Sequence, residues 1–124
     1  LRAIHGFDFE TKACSVPTDV AEGSEIQFMR RDHKGVLDSA TLAAERIKRS
    51  LDEIPADASL VCQFDCAGRG KYMIGDDVLK GVQMVQSVFD ESLPWMGTFS
   101  FGEISPVDRK NFFHNFTATL AVFH

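Results

Sequence analysis

The sequence predicts an α+β fold in a single domain: a mixed, mostly antiparallel β-sheet covered by two helices. Three observations point there. Apolar and polar residues alternate over residues 98–103 and 117–123, the period of two that a strand imposes. Leu37, Ala40, Ala44, Ile47 and Leu51 form one apolar stripe at helical spacing. The segments run strand, strand, helix, strand, helix, strand, strand, an order that suits a mixed sheet with helices packed on it.

Residues 11–16 and 25–30 read as the first strands, with Pro17 and Gly23 as punctuation. In the second, Ile26 and Phe28 face one way and Glu25 and Gln27 the other. The spacing then predicts a helix over 36–51, with Glu45, Arg46, Lys48 and Arg49 mostly off its apolar stripe, and Pro55 closes the connection. Residues 60–64 are short, largely apolar and bounded by turns, as a buried strand is. After a glycine-rich loop, Asp76 or Asp77 is placed to cap a second helix that buries Val78, Val82, Val85 and Phe89 and stops by Pro94. Gly81 in its interior costs about 1 kcal/mol.

Over 98–103, Phe99, Phe101 and Glu103 share one face of a strand. Residues 105–111 have turn chemistry and a charged tip, which predicts a long loop joining this strand to the last one, over 117–123. His114 and Asn115 enter that last strand. Glu103 and His114 are then expected to meet near one end of a hairpin-like pair.

A chain of 124 residues with 44% hydrophobic content supports one core, so residues 1–124 read as one domain, the first ten without strong pattern and linker-like. The start at Leu1 without a methionine reads as a piece of a longer protein. A net charge of −5 argues against a sequence-independent nucleic-acid binder. The basic pairs Arg30-Arg31 and Lys48-Arg49 read as solvated surface, the first interrupted by Asp32. No apolar run approaches the ~18 residues of a membrane span, so no membrane insertion is expected. Three cysteines, two of them at Cys62 and Cys66, make no disulfide framework and fit a reducing cytoplasm.

The C-terminal third carries chemistry that a plain core does not need: Glu103, Ser105, His114, Asn115 and Thr117 stand among apolar runs. Each must find a partner or a ligand, because burying an unpaired polar group costs about 1 to 3 kcal/mol. Upstream, Arg69 stands between Gly68 and Gly70 directly after the buried strand. Its planar fork suits a carboxylate or phosphate; the plainer alternative is a turn arginine paired with a local acid such as Asp65. A dinucleotide loop is excluded, since Met73 stands where the third glycine belongs. Cys66, His114 and Glu103 have the residue types of a nucleophile, base and orienting acid, but no spacing enforces their contact, so no enzyme activity is expected. The four histidines are scattered, and no metal site is expected.

Three segments, Cys66-Ala67-Gly68-Arg69-Gly70, Gly97-Thr98-Phe99-Ser100-Phe101-Gly102-Glu103-Ile104 and Phe113-His114-Asn115-Phe116-Thr117, resemble in order and spacing the C-terminal half of the FIST domain (F-box and intracellular signal transduction). The resemblance runs from about Phe28 onward. Phe116 departs from a frequent glutamine, and Phe99 and Phe101 from a tyrosine. The resemblance implies a cytoplasmic sensory input domain that binds a small ligand, an amino acid or another small anion. Its ligand-binding residues would be Arg69, Glu103, His114, Asn115, Thr117 and Cys66. It also implies a FIST N-terminal half and a signalling output domain in the parent protein. No cofactor is expected, although some relatives bind haem, for which His114 would be the axial ligand. The competing reading is a protein-interaction module in which the polar cluster is structural. Removing a preceding half-domain would leave an edge or face open to self-association.

Overall fold

The computed structural model describes residues 2–124. Its strands are β1 (Gly6–Asp8), β2 (Ala13–Ser15), β3 (Leu60–Cys66), β4 (Trp95–Ser100), β5 (Glu103–Val107), β6 (Lys110–His114) and β7 (Ala118–Phe123). Its helices are α1 (His33–Asp52), α2 (Lys71–Ile74) and α3 (Val78–Gln86), with a 3-10 turn between the last two. The predicted α+β class with helices on a mixed sheet is what is found.

The apolar strand β3 is the middle of a three-stranded sheet, parallel to β4 and antiparallel to β7. A parallel neighbour requires a crossover, which α2 and α3 supply. Register places Val61, Gln63 and Asp65 on the same face as Trp95, Gly97 and Phe99 of β4 and Val122, Leu120 and Ala118 of β7. The helices cover that face. Ala40 and Ala44 of α1 pack with Val85 and Phe89, against partly buried Trp95, Leu120 and Val122. The small side chains on α1 permit the close approach, and Phe89 meets Trp95 edge-on with centroids 5.5 Å apart. Asp32 caps α1, accepting from Gly35 N at 2.8 Å.

Several elements differ from expectation. The linker-like first residues form β1, paired antiparallel with β2, and the hairpin shortens the strand expected at 11–16. Residues 25–30 are irregular rather than a strand; Ile26 and Phe28 stay 70% and 80% exposed, and alternation without a partner ladder makes no sheet. The second helix begins at Val78 with no side-chain cap and ends at Gln86, leaving Phe89 in the following turn.

The strand read over 98–103 is two strands, broken at Phe101 and Gly102. The long loop after it is instead a tight hairpin of β5 and β6. Asp108 and Arg109 both have positive φ, 50° and 65°, the left-handed pair that a two-residue turn between twisted strands requires. The partner of β7 is therefore β3, and Glu103 meets His114 as a register pair of the β5–β6 hairpin.

Candidate functional site

The loop after β3 gathers three strand ends. Cys66 N donates to Thr117 O at 2.9 Å and Ala67 N to Ser100 O at 2.8 Å, while Cys66 O accepts from Arg69 N and Gly70 N at 2.9 and 2.7 Å. The glycines are required by close approach. A Cβ on Gly68 would lie 2.5 Å from the Phe116 ring, and one on Gly70 would lie 2.6 Å from the Phe99 ring.

Glu103 is 2% exposed and divides its carboxylate between two hydroxyls: Ser100 Oγ donates to Oε1 at 2.6 Å and Thr117 Oγ1 to Oε2 at 2.9 Å. One buried acid thus joins the end of β4 to the entry of β7. Asn115, equally buried, accepts from Ala3 N at 3.0 Å through Oδ1 and anchors the N-terminal segment. His114 is half-buried, with Nε2 3.4 Å from Ser105 O, at the long limit of a hydrogen bond. Cys66 is buried. Between Asn115 and Thr117, Phe116 has φ 58°, a left-handed conformation that costs a bulky residue about 1 to 2 kcal/mol.

Arg69 lies elsewhere in this arrangement. It is 3% exposed; Nη1 donates to both oxygens of Asp65, at 2.8 and 2.6 Å, and Nη2 donates to Val36 O at 3.2 Å. Asp65 belongs to the helix-covered face of β3, whereas Cys66 and its register partner Ser100 point to the opposite face. The sheet therefore separates the Arg69–Asp65 pair from the hydroxyl–carboxylate network of Glu103. Of the two readings of Arg69, the structure has the plainer one, a pair with the local acid Asp65 rather than an open anion site, and Arg69 also ties the loop to α1.

Asp65, but not Arg69, lines a cleft of about 390 Å³ between α3 and the strands β3 and β4. Leu79 and Val82 line it from α3, Trp95 and Phe99 from β4, and Gln63 and Asp65 from β3. Gln63 is 5% exposed. Its Nε2 donates to Asp65 Oδ2 at 3.4 Å, and its Oε1 has no partner. The carboxylate fixes which end is which, since only the amide nitrogen can donate to it. An unpaired acceptor on a residue that lines an apolar cleft favours an N–H or O–H donor. At Gly97, a Cβ would fall 2.2 Å from Gln63 O.

The sequence groups Arg69 with Glu103 and His114, and with Asn115, Thr117 and Cys66, as one ligand-binding set, whereas the structure puts the Arg69 side chain on the other face of the sheet from Glu103; Gln63 is not singled out. The signal was present: an amide in the middle of the apolar run over 60–64. Among the described residues no group of three or more His, Cys, Asp or Glu is placed to hold a metal ion, and no helix is long and apolar enough to cross a membrane.

A family model, the FIST C domain, matches residues 1–106. The match thus starts earlier than the resemblance over 28–124 and stops before His114. Among curated proteins, the chain is 33% identical over 132 residues to an uncharacterized protein of Mycobacterium tuberculosis, covering 99% of this chain and 31% of the relative. It is 31% identical over 125 residues to an uncharacterized protein of Mycobacterium bovis, again covering 99% and 31%. The chain spans about a third of the length of these relatives. No solved structure matches it.

Proposed function

The chain belongs to the FIST C domain family, a family of signal-transduction proteins, and from that premise we propose that it is a ligand-receiving half of a cytoplasmic sensory input module. It binds a small molecule non-catalytically and without a cofactor, in the cleft between α3 and β3–β4. The carrying observation is Gln63 Oε1, a buried acceptor with no partner beside a neutralised carboxylate. The ligand has a compact apolar body and at least one N–H or O–H donor. An amino acid fits this description, its ammonium group donating to Gln63 with Asp65 nearby.

Arg69 serves the site through Asp65, holding the carboxylate in place rather than touching an anion. On the other side of the sheet, Glu103 and Thr117 hold the strand ends together, Asn115 anchors the N-terminal segment, Cys66 carries the loop between them, and His114 flanks Glu103. The N-terminal half and the output domain lie in the longer parent protein.

A second reading is favoured by the uncovered face of the sheet. Phe64, Met96 and Phe123 are 41%, 61% and 53% exposed there, an apolar surface of the kind that receives protein. On this reading the rest of the parent protein or a second copy packs on that face, and the polar cluster is purely structural.

A calorimetric screen of the standard amino acids and simple amides against the 124-residue chain and Gln63→Leu separates the two. One-to-one binding that weakens about tenfold in Gln63→Leu, the loss of one hydrogen bond, supports the sensory reading. No binding, or binding indifferent to Gln63, leaves the interaction module as the better reading.

A further inference from the structure

The arginine pair at 30–31 is exposed, as its sequence suggests, but Arg31 is held in place. Asp32, the acid expected to neutralise it, has its carboxylate on the N-terminus of α1, accepting from Gly35 N. Arg31, although exposed, lies back against the loop after β3. Its guanidinium carbon lies 3.4 Å from the centroid of the Phe116 ring, and Nη1 donates to Gly68 O at 3.1 Å. Phe116 is the residue held at φ 58°, and Gly68 is the glycine whose lack of a Cβ lets that ring approach. Ring, loop and guanidinium therefore form one preorganised unit.

Beside it opens a cleft of about 490 Å³, lined by Arg30, Arg31, Tyr72, Met29, Met73 and Phe116, together with Gly68. No carboxylate lines it. Arg30 makes no ion pair or side-chain hydrogen bond among the described residues. Two guanidinium groups without a counter-charge, on a chain of net charge −5, mark one spot where the surface favours an anion. The volume exceeds that of a bare inorganic anion, and its remaining walls are apolar or aromatic.

We propose that this cleft binds a small phosphate monoester, the phosphate held by Arg30 and Arg31 with the Tyr72 hydroxyl as a further donor, and the organic body resting on Met29, Met73 and Phe116. A dianionic phosphate matches two adjacent guanidinium forks better than a single carboxylate does. The site is separate from the Gln63 cleft, and neither needs the other to be occupied.

The test is a calorimetric titration of the 124-residue chain with a nucleoside monophosphate, inorganic phosphate and benzoate, repeated with Arg30→Gln, Arg31→Gln and Gln63→Leu. Saturable one-to-one binding of the monophosphate is expected, at least tenfold tighter than benzoate or inorganic phosphate. It should weaken tenfold or more in each arginine variant, stay unchanged in Gln63→Leu, and fall as salt is raised. Arg30→Gln breaks no ion pair or side-chain hydrogen bond among the described residues, so its unfolding midpoint should match the wild type and keep the result interpretable. Absence of saturable binding up to millimolar ligand, equal binding of benzoate, or binding indifferent to Arg30→Gln overturns the proposal.

Discussion

Arg69 holds Asp65 through a single nitrogen, Nη1 reaching both carboxylate oxygens at 2.8 and 2.6 Å, and both side chains are buried. A buried pair of this kind can be nearly neutral relative to an apolar pair, yet removing one partner strands the other charge. Arg69→Ala is therefore expected to cost about 3 to 5 kcal/mol, seen as a fall of roughly 10 °C or more in the unfolding midpoint. The paired replacement Arg69→Leu with Asp65→Leu should recover much of that loss. A midpoint for Arg69→Ala close to the wild type would mean that the arginine is no tether.

Gly97→Ala should be the most damaging of the glycine substitutions. The added Cβ would lie 2.2 Å from Gln63 O, a backbone atom inside the β3–β4 ladder, whereas at Gly102 it would meet the Phe113 ring at 2.3 Å. A ring at the edge of a hairpin can turn aside; a ladder carbonyl cannot. Denaturant unfolding of both variants is expected to rank Gly97→Ala well below Gly102→Ala. The reverse order would contradict the pairing of β3 with β4.

Asp90 titrates below the usual carboxylate range, first because the Ser92 hydroxyl donates to it and then because the Ser92 backbone N–H does. A depressed folded value contributes stability that is present above the ordinary carboxylate pKa and is lost as pH falls through Asp90's own lower value. Carboxyl-carbon NMR should place the Asp90 midpoint below the ordinary value of about 3.9, with Ser92→Ala moving it upward. An unchanged midpoint in Ser92→Ala would contradict this cause.

The proposed non-catalytic reading predicts no activated thiol. Cys14 is exposed, whereas Cys62 and Cys66 are buried. A mild electrophile at neutral pH is expected to label Cys14 first and the other two only on unfolding. Fast, stoichiometric labelling of Cys66 that disappears in His114→Ala would reveal a thiolate–imidazole pair and a catalytic role.

The legible parts of the fold were those with strong local period. The stripe from Leu37 to Leu51 became α1 and the apolar run from Leu60 became β3, because one buried face dictates each. Glu103 and His114 met as expected. The hairpin of β5 and β6 was missed because its turn uses Asp108 and Arg109 in left-handed conformation without a glycine. Ile26 and Phe28 showed the converse failure: alternation without a partner strand stayed irregular. Arg69 sits in the expected loop and meets Asp65, the local acid named as its plainer partner; what local sequence does not decide is that this pair, rather than an external anion, takes the guanidinium, because strand pairing sets the face to which β3 turns Asp65. Gln63 stands out as an amide within an apolar run, but its unpaired oxygen is not legible in the sequence, since it follows from Asp65 occupying its nitrogen.

The side-chain amide of Gln63 is the most direct reporter of whether the cleft receives a ligand. Its N–H signals can be followed by two-dimensional ¹⁵N NMR while pooled amino acids, and then each component of an active pool, are added to the labelled chain. Binding in the cleft predicts saturable shifts of the Gln63 side-chain amide and of the backbone signals of Gly97, Phe99 and Val82, with Asn115 and Thr117 little changed. Shifts confined to Glu103, His114, Asn115 and Thr117, with the Gln63 amide unmoved at saturation, would contradict it.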